Sequence, residues 1–226
     1  MEHEEKEVIE MVYKKEGIAR AILEKEGLSP KERKEEMKNK NLDFEKRSRK
    51  FNLFFFMAII LYCLPTFAFY TELNALAFFA ELQAIEFPLP VIVVCIILLI
   101  SIAYMDNCAY RLRRKKGGLE GTSHAEEWTL VFIREGPYRI IRHPTFFAIA
   151  TYFILGTIIL SFFGLRFTLC TVTGDILMIL MINLSAKYAD EPLGIIKWGD
   201  EYRQYMKEVP RFNFMVGLWR LRKRRK

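Results

Sequence analysis

Three consecutive residues in the middle of the chain, Arg142-His143-Pro144, could form an anion site at the start of a helix. They stand just before an apolar run that extends to residue 163. Proline is well tolerated at the first helical position, so Pro144 predicts a helix start. Arg142 and His143 would then lie at the positive end of that helix, where unpaired backbone N–H groups attract an anion. The alternative is that both residues only anchor the helix at the lipid surface, and this stretch alone leaves both interpretations open.

A second stretch, residues 189–212, carries acidic and aromatic residues that complement this cationic site. Glu191 follows the last apolar run of the chain. Tyr202 and Tyr205 are three positions apart, so they share one face of a short helix. Taken alone, the stretch predicts an amphipathic segment at the membrane surface, with its aromatic rings at headgroup level.

Together, the two stretches could hold a zwitterionic amino-acid ligand. The carboxylate of the ligand would bind Arg142, His143 or the helix N-terminus, and its ammonium group would bind Glu191. A joint site of this kind requires that both stretches lie on the same side of the membrane.

The elements that must position these residues are long apolar helices. The chain of 226 residues is 52% hydrophobic, and its apolar residues are segregated into long runs that can each cross a membrane. About 20 residues at ~1.5 Å per residue cover the ~30 Å hydrocarbon core. We predict an all-α fold, a multi-pass transmembrane helical bundle of about four spans with a C-terminal amphipathic segment. A soluble helical extension, residues 1–50, precedes the membrane domain, residues 51–226. The predicted spans are 51–70, 87–105, 145–163 and 167–188.

Polar residues between and within the spans carry two further predictions. The segment 71–86 has three glutamates among apolar residues, so it is expected to be an amphipathic or re-entrant segment at the far interface, because carboxylates are costly in lipid. Asp175 and Asn183 in the fourth span should face the bundle interior. A hydrogen bond between helices is the simpler role for Asp175, and a part in a functional site is the alternative.

The distribution of positive charge predicts the orientation. Of 34 Lys and Arg residues, 14 precede the first span, 8 lie in residues 106–144 and 11 lie from Lys187 onward, which leaves only Arg166 for the other side. The positive-inside rule then places both termini and the central loop in the cytoplasm. Because the cations flank the spans, the expected partner is the membrane with its anionic headgroups, and not nucleic acid.

The four cysteines give no sign of a metal site. They are scattered and form no C-x-x-C pair, so they are expected to be buried packing residues, neither metal ligands nor disulfides. They are Cys63, Cys95, Cys108 and Cys170.

The two polar stretches together resemble the isoprenylcysteine carboxyl methyltransferase family and its phospholipid methyltransferase relatives. The resemblance covers residues 136–212: GxYRxxRHP, an apolar span, a hairpin, an acidic pair, and then WGxxYxxYxxxVPRF. It implies an integral-membrane enzyme that uses S-adenosylmethionine to methylate a lipid or lipid-modified substrate. The cofactor would be clasped around the Arg-His-Pro motif and closed over by the C-terminal segment.

The resemblance also implies the site residues. Phe146 stands where the family usually has tyrosine, so one hydroxyl contact is missing. The positions assigned to the cofactor are Gly136, Tyr138, Arg142, His143, Pro144, Phe146, Glu191 and Tyr202. Those assigned to catalysis are Arg142, Glu191 and Arg211.

The chemistry of the acceptor decides what these residues must do. A carboxylate acceptor is already ionised near neutral pH and needs an arginine to align it, Arg211 first and Arg142 second. An amine acceptor, as in phospholipid N-methylation, needs a base, and Glu191 is the nearest candidate. The sequence is also compatible with a membrane sterol-type reductase that uses NADPH, and with a non-catalytic membrane anchor. The oligomeric state is left open.

Overall fold

The protein is described by a computed structural model that covers residues 52–116 and 132–224, together with positions 21, 22, 32, 35, 36, 39 and 40. Within these residues the fold is helical throughout and contains no strand. The predicted extension, residues 1–50, lies outside the described residues apart from those few positions. The helices are α1 (Asn52–Thr71), α2 (Ala77–Ala80), α3 (Leu89–Lys115), α4 (Pro144–Phe162), α5 (Leu169–Ser185), α6 (Glu191–Glu208) and α7 (Phe214–Arg224).

Four helices are long and apolar enough to cross a membrane, as the apolar runs predict. Only 11% to 33% of each apolar window is buried within the protein, so large apolar side chains face outward along these helices. In a bilayer such faces contact lipid, and the helix satisfies its own backbone hydrogen bonds. The four are α1, α3, α4 and the continuous helical stretch Leu169–Glu208, which begins with the apolar α5.

One helix ends well beyond its predicted boundary, and the segment between the first two spans is mostly irregular. Helix α3 continues ten residues past the predicted end at 105, because its last turn carries Arg113, Arg114 and Lys115, whose charges favour the negative end of a helix. The segment 71–86 forms a 3₁₀ turn (Asn74–Leu76), the single-turn helix α2 and irregular chain.

The described residues divide into two compact units. Those of one lie within residues 49–107 and 145–185, and those of the other lie within residues 1–48, 108–144 and 186–226. The first of these contains most of the apolar helix length, and the second contains both polar stretches.

Asp175 links helices within the first unit. Its carboxylate is buried and accepts hydrogen bonds from the Tyr62 hydroxyl at 3.0 Å and, at 3.5 Å, from the Thr157 hydroxyl. Gly174 lets α1 and α5 approach, since a Cβ there would lie 2.7 Å from the Tyr62 ring. Asp175 therefore has the structural role that was expected. Asn183, by contrast, is only half-buried and bonds the Ile179 carbonyl of its own helix.

Arg166, the one cation assigned to the far side, is held by its own unit. Its backbone N–H donates to the Thr66 hydroxyl at 2.9 Å, and its guanidinium donates to the Leu82 carbonyl at 2.8 Å. The same guanidinium lies 4.0 Å from the centre of the Phe69 ring. These contacts fix the short link between α4 and α5.

The cysteines are free thiols, and only Cys95 is fully buried. The expectation that all four pack in the interior is wrong for Cys63, which is exposed on α1. Helices α1 and α3 turn most of their apolar surface outward, so an apolar residue in a span need not be in the protein core.

Candidate functional site

The Arg-His-Pro stretch begins with a tight turn. Residues Gly136–Arg139 form one turn of 3₁₀ helix. Gly136 has a positive φ of 55°, which residues other than glycine rarely adopt. Helix α4 then begins at Pro144, as predicted. Residues 136–143, called the hinge below, therefore lead directly into the N-terminus of α4.

Two hydrogen bonds tie the hinge to the C-terminal stretch. The backbone N–H of Arg142 donates to the Pro210 carbonyl at 3.0 Å. The buried Tyr205 hydroxyl donates to the Tyr138 carbonyl at 2.7 Å. The two stretches that were predicted to meet are therefore in contact within one compact unit.

A glycine kink shapes the C-terminal stretch. Helix α6 is interrupted at Gly199, whose φ of 52° and ψ of −130° are not helical. The chain turns there, so the Tyr202 ring packs on Gly194, where a Cβ would collide with it. Beyond the kink, Tyr202 and Tyr205 are both buried and pack with Phe132. The glycines in this stretch are thus needed for close approach and for the turn.

Glu191 lies at the centre of a buried cluster of charges. Arg211 binds it through two hydrogen bonds of 2.6 Å, from Nε to Oε1 and from Nη2 to Oε2. Arg142 Nη2 lies 3.2 Å from Oε1, and His143 Nε2 lies 3.7 Å from the same oxygen. The other ring nitrogen of His143, Nδ1, is 3.8 Å from Asp190 Oδ2. We call Arg142, His143, Glu191 and Arg211 the cation cluster.

The cluster keeps Glu191 ionised. Burial opposes its charge, but the adjacent His143 ring, the hydrogen bonds from Arg211 and the charge of Arg142 outweigh burial and lower the pKa from 4.5 to about 2. The hydrogen bond to Glu191 is also the main cause of the raised pKa of Arg211. Two permanent guanidinium groups therefore share one permanent carboxylate.

Two guanidinium nitrogens of Arg142 have no hydrogen-bond partner among the described residues. Its side chain is only 9% exposed. Nε and Nη1 are buried and have no hydrogen-bond acceptor among the residues that the structure describes. An unsatisfied buried donor costs about 1–3 kcal/mol, and more when it is charged. Both nitrogens could therefore donate to an anionic oxygen or to a bound water.

Arg211 is the more accessible of the two arginines. Its side chain is 27% exposed, and Nη1 makes no hydrogen bond to any described residue. The cluster thus has a buried arginine and a partly open one on either side of the same carboxylate. Such an arrangement can bind an anionic group and can align a second one.

The remaining residues that the sequence assigns to the site occupy different positions. Gly136 lies at the start of the hinge, where a Cβ would meet Leu112 at 3.3 Å. Tyr138 and Pro144 are buried on either side of the hinge residues that carry the charges. Tyr202 belongs to the aromatic cluster with Phe132, and Phe146 belongs to the other compact unit, half-buried in α4.

Sequence reasoning missed Arg134. Its guanidinium lies 3.0 Å from Glu208 and 3.6 Å from Glu201, and 5.7 Å from the centre of the Tyr205 ring. The available signal was the seven-residue spacing of Glu201 and Glu208, which places both acids on one face of α6. Arg134 therefore helps to hold the chain just before the hinge against the C-terminal stretch.

No protein-family model, curated protein or solved structure matches this chain.

Proposed function

We propose that this protein is an integral-membrane methyltransferase that uses S-adenosylmethionine. The acceptor that we favour is the carboxylate of a prenylated cysteine or of a similar lipid-borne molecule. The observation that carries the proposal is the buried Arg142, two of whose guanidinium nitrogens have no acceptor among the described residues, in a cluster with Glu191 and Arg211. These residues come from the two stretches that resemble the isoprenylcysteine carboxyl methyltransferase family.

Arg142 suits the carboxylate end of the cofactor. A charge-assisted hydrogen bond to Nε or Nη1 would satisfy a donor that is otherwise buried without a partner. Pro144, which begins α4, directly follows Arg142 and His143 in the chain. S-adenosylmethionine, when bound, supplies an electrophilic methyl group on a sulfonium.

Glu191 is better suited to hold cations than to accept a proton. Its pKa of about 2 makes it a weak base near neutral pH, and both of its oxygens are bound by Arg211. The cofactor's ammonium group would therefore need another partner or a rearranged Glu191. An amine acceptor would need a base, whereas a carboxylate acceptor needs none. The geometry thus favours carboxyl methylation over phospholipid N-methylation.

Arg211 is the residue that we assign to the acceptor. Its Nη1 makes no hydrogen bond to the part of the chain that the structure describes and its side chain is partly exposed, while its other two nitrogens are fixed on Glu191. A guanidinium held in this way can orient a carboxylate without losing much side-chain freedom. Placing the acceptor carboxylate next to the methyl group accounts for much of the rate acceleration that methyl transfer needs.

Ligand binding to the purified protein tests the proposal. We expect S-adenosylhomocysteine to bind detergent-purified protein in calorimetry, and Arg142→Gln to weaken binding at least tenfold, since it removes a charged buried donor. The matched control is Arg111→Gln, an exposed arginine of α3. Methyl transfer from labelled cofactor should then occur to prenylcysteine analogues and not to phospholipid amines.

Three outcomes would contradict the proposal. If the folded protein binds no S-adenosylhomocysteine at millimolar concentration, methyl transfer is wrong. Binding of NADPH in its place would identify a reductase. Unchanged cellular function with Arg142→Gln or Glu191→Gln would identify a non-catalytic anchor.

A further inference from the structure

Helix α7 (Phe214–Arg224) is fixed on the hinge by one of its faces. Gly217 is buried there, and a Cβ at this position would collide with the Ile140 carbonyl oxygen. Arg220 Nη1 donates to the Lys207 carbonyl at 3.0 Å and lies 3.4 Å from the Glu208 carbonyl. The helix therefore lies directly on the backbone of Ile140, two residues before Arg142.

The opposite face of α7 is apolar and open. Met215 is 74% exposed, Leu218 is 38% exposed and Trp219 is 63% exposed. With Leu221 and Arg222 they line an open groove of about 450 Å³. Met215, Leu218 and Trp219 recur at helical spacing, so they form one apolar stripe along the helix, and Arg222 continues the same face. An exposed stripe of large apolar side chains marks an interaction surface.

Positively charged residues are concentrated at the C-terminal end of this stripe. Six of the last seven residues are lysine or arginine, and no acidic residue follows Glu208. Lys223 Nζ lies 5.7 Å from the centre of the Trp219 ring, at the end of the stripe. A helix with an apolar face, a tryptophan and a basic flank lies in the membrane interface and binds anionic headgroups. Nucleic acid would use the cations but leave the stripe of Met215 and Leu218 uncovered.

We propose that α7 docks on an anionic lipid surface, and that this docking steadies the hinge through the contact between Gly217 and Ile140. The apolar stripe enters the headgroup region, and Arg222 and Lys223 bind the anionic headgroups. Because Ile140 precedes Arg142 and His143, lipid binding at α7 restrains the residues of the cation cluster. The inference does not depend on methyl transfer, since it concerns lipid contact alone.

Hydrogen–deuterium exchange of the full chain in nanodiscs tests the proposal. We expect amides of residues 214–224 to exchange more slowly in nanodiscs of phosphatidylcholine mixed with phosphatidylserine than in phosphatidylcholine alone. Amides of the hinge, residues 136–143, should slow in parallel. Each cation near an anionic surface contributes roughly a fivefold factor. The ratio of α7 protection in anionic nanodiscs to that in neutral nanodiscs measures the preference for anionic lipid. Replacing Arg222 and Lys223 by glutamine should reduce this ratio by roughly thirtyfold.

Two further variants separate position from net charge. Arg111→Gln with Arg114→Gln removes the same charge from exposed positions of α3 and should leave the preference intact. Met215→Ser with Trp219→Ser should reduce protection of α7 in both lipid mixtures. Unchanged exchange of residues 200–208 shows that each variant is folded.

Three results would overturn the proposal. Equal protection of α7 in both lipid mixtures would exclude recognition of anionic lipid. Protection that depends on the number of chains per nanodisc would show that a second copy covers the stripe. Protection of α7 without any change at the hinge would refute the link through Ile140.

Discussion

Replacing Glu191 by glutamine should destabilise the protein, because three cationic or basic side chains converge on its carboxylate. Arg142, His143 and Arg211 all lie within 3.7 Å of its oxygens. The substitution keeps the shape of the side chain but leaves Arg142 buried without a counter-charge. Breaking a buried ion pair from one side costs about 3–5 kcal/mol.

The pKa of Glu191 gives a second measure of the same effect. Its fall from 4.5 to about 2 corresponds to about 3 kcal/mol of preference for the ionised form in the folded state. A carboxylate with a lowered pKa contributes stability above its unfolded pKa and loses it as the pH falls toward the folded value. The contribution of Glu191 should therefore be constant from pH 7 to pH 5 and should disappear between about pH 4.5 and pH 2.

Guanidinium-induced unfolding in detergent micelles measures the loss. At pH 7 we expect Glu191→Gln to lower the free energy of unfolding by about 3 kcal/mol. Glu201→Gln on the same helix is the matched control, because its carboxylate is 59% exposed and its ion pair with Arg134 is 3.6 Å long. The control should change stability by less than about 0.5 kcal/mol.

The result that would refute this reasoning is a small effect at Glu191. If Glu191→Gln stays within about 0.5 kcal/mol of the wild type at pH 7, the carboxylate does not hold the cluster together. The same conclusion follows if the variant and the wild type lose stability in parallel between pH 4.5 and pH 2. In either case Glu191 would be free to bind the ammonium group of a ligand.

Two further predictions concern close packing and the polar contact between helices. Gly217→Ala should cost about 1–3 kcal/mol of stability, because its Cβ would collide with the Ile140 carbonyl, while Gly156→Ala, in open space within a helix, should be neutral or stabilising. Unfolding in micelles compares the two alanine variants. Equal changes in the free energy of unfolding would contradict the close contact of α7 with Ile140. Asp175→Leu should cost about 1–2 kcal/mol, because it leaves the buried Tyr62 hydroxyl without its acceptor, while Asp175→Asn keeps an acceptor and should cost less. The same measurement checks this pair, and a leucine variant as stable as the asparagine variant would refute a structural role for Asp175.

Much of the fold could be predicted because it depends on local features of the chain. An apolar run of about 20 residues forms a helix in a bilayer, since only a helix satisfies all backbone hydrogen bonds within a single segment there. The start of α4 at Pro144 follows from the chemistry of proline at a helix N-terminus. The end of α3 was less predictable, because its polar last turns have no hydropathy signal and are held by Arg113, Arg114 and Lys115 at the negative end of the helix.

The meeting of the two polar stretches could be predicted, but the pairing of their charges could not. Residue types pointed to Arg142, His143 and Glu191, and the resemblance added Arg211. The expectation that Glu191 receives a ligand's ammonium group depended on that carboxylate being available. In the structure both of its oxygens are bound by Arg211, and Arg142 lies 3.2 Å away.

The sequence by itself determined the helices, the four candidate spans and the residues that could carry charge to one place. Only the tertiary structure decided which charges pair, because Arg142, Glu191 and Arg211 are separated by 20 to 69 positions and could pair in several ways. The kink at Gly199 and the contact of Gly217 with Ile140 bring those segments together. Side-chain pairing depends on distances of a few ångströms, which packing sets and local sequence does not.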